Sequence, residues 1–163
     1  MPDVSVTDIR RSTAGDADDV VALSLGAWAP VFASFRAVLG DDLYERVHPD
    51  WEIGQAAAVR EALATHETWV ATTDDKVTGF VNVIFEDSEG SGEIYMIAVD
   101  PAAQRRGIAT RLTEVALDEM RARGLDLAIV ATGGDPGHAP ARRTYEKAGF
   151  TACPQVWYSR LLT

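Results

Sequence analysis

Residues Glu93 to Thr110 read EIYMIAVDPAAQRRGIAT. The run begins as a strand: Ile94, Tyr95, Met96, Ile97 and Val99 are apolar and β-prone, and Asp100-Pro101 closes them. From Gly107 onward Ile108, Leu112, Val115, Ala116 and Met120 recur at helical spacing. A strand, a short basic loop and a helix therefore follow one another directly. The loop is Gln104-Arg-Arg-Gly-Ile-Ala109, in which Gly107 lets the backbone approach a ligand closely. The helix start beyond it offers unpaired N–H groups and the positive end of a dipole, a combination that binds phosphate.

Working outward, a second motif reads His138-Ala-Pro-Ala-Arg142-Arg-Thr-Tyr145-Glu-Lys-Ala-Gly149-Phe150. A strand's worth of residues, Asp126 to Ala131, separates it from the first helix. On the N-terminal side, Thr68–Thr73 and Lys76–Phe85 flank Asp74-Asp75 and predict a hairpin. Val4, Val6 and Ile9 predict an opening half-buried strand. Thr13 to Asp16 offers capping residues for a helix over 17–27, which Pro30 is expected to break or kink. A second helical segment carries Trp28, Phe32, Phe35 and Leu39 on one face and ends at Gly40-Asp41-Asp42. A third helix runs from Trp51 to Thr65 with Asp50 as N-cap. Phe150–Cys153 and Val156–Leu162 predict closing strands. One α+β domain over residues 1–163 is expected, with a mixed, mostly antiparallel sheet and helices on both faces.

Composition limits what such a domain can do. Apolar residues make up 47% and charged residues 25%, as in a globular chain. The net charge of −10, from 25 acidic and 15 basic residues, argues against nucleic acid or anionic membrane as partner. Apolar runs are short for a bilayer span, and residues 1–13 lack a signal-peptide core, so a cytoplasmic location is expected. Cys153 is the only cysteine and is expected to be buried as a small hydrophobe. Against the acidic total stand two basic groups, Arg105, Arg106 and Arg111 at the loop and Arg142, Arg143 and Lys147 on the last helix. That pattern suits a polyanionic ligand.

The two motifs, in this order and at this separation, resemble the acetyl-CoA site of the GNAT superfamily of N-acetyltransferases. The likeness runs from about Lys76 to Phe150. Gln104-x-x-Gly107-x-Ala109 resembles that family's pyrophosphate loop, and Ala141-x-x-x-Tyr145-x-x-x-Gly149-Phe150 its last helix. The resemblance implies a GNAT-like fold, acetyl-CoA as cofactor, no metal, and transfer of an acetyl group to a primary amine, most simply of a small molecule. It also admits a homodimer. Cofactor contacts are expected from Ile97, Ala98 and Val99, from Gln104, Arg105, Arg106, Gly107, Ile108, Ala109 and Thr110, and from His138, Arg142 and Tyr145.

Acetyl transfer to an amine requires a base for the amine, a donor for the carbonyl oxygen and an acid for the departing sulfur. Glu93 is the candidate base, eleven residues before Gln104 as in histone-type members of the family. Tyr145 is the candidate acid, one turn before Gly149-Phe150. A backbone N–H near Ile97 to Val99, where the family's strands splay, would hold the oxygen. His138 departs from the pattern, since most relatives carry Asn there; it retains a hydrogen bond to cofactor and competes with Glu93 as base. For the acceptor, Trp28, Phe32, Glu93 and Tyr158 are candidates within a region of aromatics and acids that would suit a cationic amine. Acetylation of a protein lysine or N-terminus, and a non-catalytic acyl-CoA-binding module, are the rival readings. A P-loop is excluded by the missing Gly-Lys-Ser/Thr.

Overall fold

A computed structural model describes residues 7–162. Five strands form one sheet in chain order: β1 (Thr7–Arg11), β2 (Glu67–Thr73), β3 (Lys76–Glu86), β4 (Ser91–Val99) and β5 (Leu127–Val130). The first three pairings are antiparallel and β4 with β5 is parallel, the mixed arrangement expected. Of the expected opening strand only Ile9 is described; Val4 and Val6 lie outside the described residues. The Asp74-Asp75 turn has φ of 51° and 61°, the left-handed pair that a tight hairpin between twisted strands requires.

Both faces of the sheet are covered, because its strands alternate. On one face Trp69, Ala71, Val81, Val83, Ile94 and Val99 pack under Ile108, Leu112, Ala116 and Met120 of α4 (Ile108–Ala122). On the other, Val70, Val77, Phe80 and Ala98 meet Val20, Val21 and Leu23 of α1 (Ala17–Leu39) and Val59 of α3 (Trp51–Thr65). A short helix, α2 (Asp41–Val47), lies between these last two, and α5 (Ala139–Lys147) closes the α/β part.

Several expectations change. Pro30 does not break α1, which runs through it for 23 residues. Pro30 and Gly26, whose carbonyl the proline frees, are both exposed, so water satisfies what the ring cannot. Residues 14–39 are thereby long and apolar enough to cross a membrane by length and composition, contrary to the expectation from run lengths. Val20, Leu23, Ser24 and Val31 are nevertheless buried, so α1 is accounted for as a helix lying on the sheet. Asp41-Asp42 starts α2 rather than ending a segment, and Asp50 precedes α3 with φ 48° and no side-chain capping bond. The closing strands over 150–153 and 156–162 do not form: residues 151–162 are unpaired and exposed, Cys153 included. Their would-be partner, the outer edge of β5, is bare among the described residues.

The entry into α1 is fastened by Asp16, only 6% exposed. Its carboxylate accepts two bonds from Arg10, both 2.8 Å, and bonds from Thr13 N at 2.7 Å and Thr13 Oγ1 at 3.0 Å. Arg10 chiefly, opposed by burial and helped by Thr13, holds the Asp16 carboxyl well below the usual range. A depressed carboxyl stabilises the fold above its unfolded value near pH 4, and that contribution is lost as pH falls toward the folded value. Asp16→Asn is therefore expected to destabilise by about 2 kcal/mol at neutral pH. Urea titrations of the two proteins should converge as pH drops below 4; a gap that persists unchanged there would contradict the assignment.

Candidate active site

The site begins where β4 and β5 part. Their pairing runs from Ser91–Leu127 to Ile94–Val130 and stops, while β4 continues alone on that side through Val99. This opening sits beside a β-bulge: Asn82 faces Met96 and Val83 faces Ile94, so Tyr95 is the extra residue. The bulge resets alternation. Ile94, Ile97 and Val99 turn to the α4 face, whereas Met96 and Ala98 turn to the α1 face. Regular alternation would have put Glu93 on the same face as Ile97 and Val99; across the bulge it is not. Glu93 stands half-buried opposite Ile94, on the side of α3, where Tyr95 meets His66 at 5.6 Å between ring centroids.

From the free end of β4 the chain passes a 3₁₀ turn, Pro101–Ala103, capped by Asp100 accepting from Ala102 N at 2.9 Å. The Gln104 side chain then donates to the Val99 carbonyl at 3.1 Å, tying the loop back to the strand end. Its amide thus shapes the loop instead of reaching outward. Arg105 and Gly107 adopt φ of 64° and 77°. Left-handed residues alternating with others turn successive N–H groups toward one concavity, an anion-binding arrangement. A Cβ at Gly107 would meet no atom within 4 Å, so the space before the loop is open. Ile108 is buried and anchors α4, while Arg105, Arg106 and Thr110 are exposed and Ala109 half-buried. Arg111, expected in the basic group, instead donates to the Thr7 carbonyl at 2.6 Å.

The second motif is organised by Asp135. Its carboxylate accepts from Gly137 N at 3.0 Å and is hydrogen-bonded to His138 Nδ1. Burial raises the Asp135 carboxyl, but His138 and Ser34 outweigh it and the net shift is downward. Ser34 also accepts from Gly137 N at 3.0 Å, which joins this turn to α1. The approach is close: a Cβ on Gly137 would lie 3.0 Å from the Val31 Cα. Arg142 donates to the carbonyls of Gly133 at 2.6 Å and Asp135 at 2.8 Å. Arg142 therefore braces the loop before α5 and is committed there. Tyr145 is 7% exposed, and burial pushes its phenol up to about 12. Its ring meets Phe150 at 5.9 Å.

A depression of about 430 Å³ opens between α1, α2 and α3. Phe32 stacks on Trp51 at 4.3 Å, and His48 stacks on Phe35 at 5.1 Å. Burial lowers the His48 imidazole below its ordinary value, favouring the neutral ring. Arg36, over the Tyr44 ring at 4.2 Å, pairs with Glu45 and with Asp41. Asp50 and Glu52, also on the rim, have no cation beside them among the described residues. Phe35, stacked on His48 behind the depression, also meets His138 at 5.5 Å between ring centroids.

Of the acceptor candidates, Phe32 lines this depression, Trp28 packs partly buried on the α1 face of the sheet, and Tyr158 stands 92% exposed in the unpaired tail. Sequence reading missed Ser34, Asp135 and His48. The Asp-Pro-Gly-His run was the available signal for the first turn, since Asp before Pro-Gly accepts from its own turn.

Residues 33–150 match the model of the acetyltransferase (GNAT) family. Mycothiol acetyltransferase of Clavibacter michiganensis is 34% identical over 150 residues, 91% of this chain and 44% of that protein. The chain spans about half, or less, of the length of the curated relatives it matches. Among solved structures, a Desulfovibrio desulfuricans protein assigned to the GNAT family superposes with a TM-score of 0.68 at 25% identity, over 91% of this chain and 87% of that one. PaiA N-acetyltransferase of Thermoplasma acidophilum, in complex with coenzyme A, shares the fold with a TM-score of 0.69 at 14% identity, over 90% of each chain. The parted strands, the left-handed loop and the helix behind it thus lie within a family match covering well over half of the sequence, and the chain belongs to the GNAT family of acetyltransferases.

Proposed function

We propose that this chain transfers an acetyl group from acetyl-CoA to a primary amine of a small molecule, by direct attack in a ternary complex. The observation that carries the reading is the end of β4–β5 pairing at Ile94–Val130, with the free strand leading through one 3₁₀ turn into the loop at Arg105–Gly107. An extended, amide-bearing arm fits along an unpaired strand edge, as an added strand would. A pyrophosphate fits the converging N–H groups and helix start at the end of that edge. Open space before Gly107 leaves room for it. The backbone of Ile97, Ala98 and Val99, with Arg105 to Thr110, would make these contacts, and Gln104, Arg142 and His138 would hold the walls.

Bound acetyl-CoA supplies the acetyl group as an activated thioester. Glu93 takes a proton from the incoming amine, a backbone N–H between Ile97 and Val99 steadies the carbonyl oxygen, and the Tyr145 phenol gives its proton to the leaving sulfur. A phenol raised to about 12 stays protonated across the working range, as an acid must. The depression at Phe32, His48 and Trp51, with Asp50 and Glu52 on its rim, favours a cationic acceptor with an apolar body. The naming of a relative for mycothiol supports a small-molecule acceptor.

A screen of amines with acetyl-CoA, read as released thiol, tests the reading; turnover only with peptides would replace the acceptor class. Within it, Glu93→Gln is expected to remove the acidic limb of the kcat/KM profile for acceptor, with activity recovering as the amine deprotonates unaided. His138→Asn should leave the limb in place. A limb lost only in His138→Asn would transfer the base to the histidine.

A further inference from the structure

Pro30 sits inside α1, where a proline removes one helix hydrogen bond and crowds the carbonyl four residues before it. That carbonyl belongs to Gly26. The ring is exposed, so burial in the core does not account for it. A local rule broken in this way, without a gain in packing, points to a functional position. Its place in the fold is specific. Where β4 and β5 part, one lip of the opening is the turn Pro101–Ala103 that follows β4, and the other is the turn Pro136–His138 beyond β5. Helix α1 crosses from lip to lip. A Cβ on Gly26 would lie 3.5 Å from the Pro101 ring, whereas Ser34 accepts from Gly137 N at 3.0 Å. Gly26 and Ser34 are about 12 Å apart along the helix axis, and Pro30 lies midway on the same stripe. Ala29, Phe32 and Ala33, from the same turns, line the depression. The carbonyl that Pro30 releases therefore stands between the depression and the opening.

We propose that the Gly26 carbonyl accepts a hydrogen bond from the nitrogen of the acceptor amine and so orients it for attack. This rests on the amine-acetyltransferase reading above and adds the group that aims the nucleophile. A helix carbonyl without its donor keeps a partial negative charge, which favours an ammonium. After Glu93 takes one proton, the nitrogen still carries N–H groups. One of them, held on Gly26, fixes where the lone pair points, and orientation of that kind speeds attack. The amides of the cofactor arm have the unpaired β4 edge as their partner, which leaves the Gly26 carbonyl to the acceptor.

Pro30→Ala tests this on the full chain, because alanine supplies the missing N–H and the restored helix bond occupies the carbonyl. Tm is expected to rise, alanine being the best helix former and proline the worst. Yet kcat/KM for the acceptor should fall by about 10-fold or more, as for one lost hydrogen bond to a charged group. The acceptor is phenethylamine, a cation on an apolar body, or a faster amine where the screen returns one. Acetyl-CoA affinity by calorimetry should be unchanged. Lactic acid at position 30, which like proline has no N–H, is expected to recover most of the lost kcat/KM. A stabilised Pro30→Ala protein with wild-type kcat/KM overturns the proposal. Weakened acetyl-CoA binding also overturns it, since the carbonyl would then serve the cofactor. Failure of lactic acid to rescue does so too, because the ring and its kink would then be what matters. A wild type that acetylates no amine removes the reading of function and this inference with it, whereas the other outcomes leave that reading in place.

Discussion

Tyr145→Phe is expected to lower turnover by about 10²- to 10⁴-fold while leaving acetyl-CoA affinity nearly unchanged. The ring is 7% exposed and sits against Phe150, so phenylalanine keeps the packing and only the hydroxyl is lost. Burial is the cause that lifts this phenol to about 12. Its proton is therefore retained through neutral and moderately basic pH, and Tyr145 is expected to add no basic limb there. The sign for stability is the same. A group raised in the folded state stabilises fully below its unfolded value and loses that contribution as pH rises through the folded one. Pre-steady-state kinetics with chemistry rate-limiting provides the check. A variant within about threefold of wild type would return Tyr145 to a packing role.

Gly107→Glu is expected to weaken acetyl-CoA binding by about 100-fold or more. With φ at 77°, any L side chain here is strained, by roughly 1–2 kcal/mol. The fold tolerates that, because a Cβ meets nothing within 4 Å. The same open space is where the pyrophosphate would lie, so the carboxylate both fills it and repels it. Losing two charge-assisted hydrogen bonds, each about 1.5–3 kcal/mol, gives at least the stated factor at 1.4 kcal/mol per decade. Titration calorimetry on a variant of native circular dichroism decides it. Wild-type affinity would move the pyrophosphate away from this loop.

The sequence by itself determined whatever depends on neighbours along the chain. Periodicity marked α4, and Asp-Asp marked the β2–β3 turn. The two motifs and their spacing carried the family. These signals survive because each is decided within one turn or one strand, by φ preference and by which side chains one face presents. Only the tertiary structure decided which polar groups were already committed. Gln104, Arg111 and Arg142 read as a basic and polar cradle, yet their donors go to the carbonyls of Val99, Thr7, Gly133 and Asp135. A backbone carbonyl leaves no mark in the residue letters, so such partners are not legible beforehand. The bulge at Tyr95 was equally silent, and it alone separates the face of Glu93 from that of Ile97. Pro30 read as a break because the exposure of Gly26 was unknown. The tail read as strand because alternation records what a segment can pair as, while the availability of a partner is a property of the whole sheet.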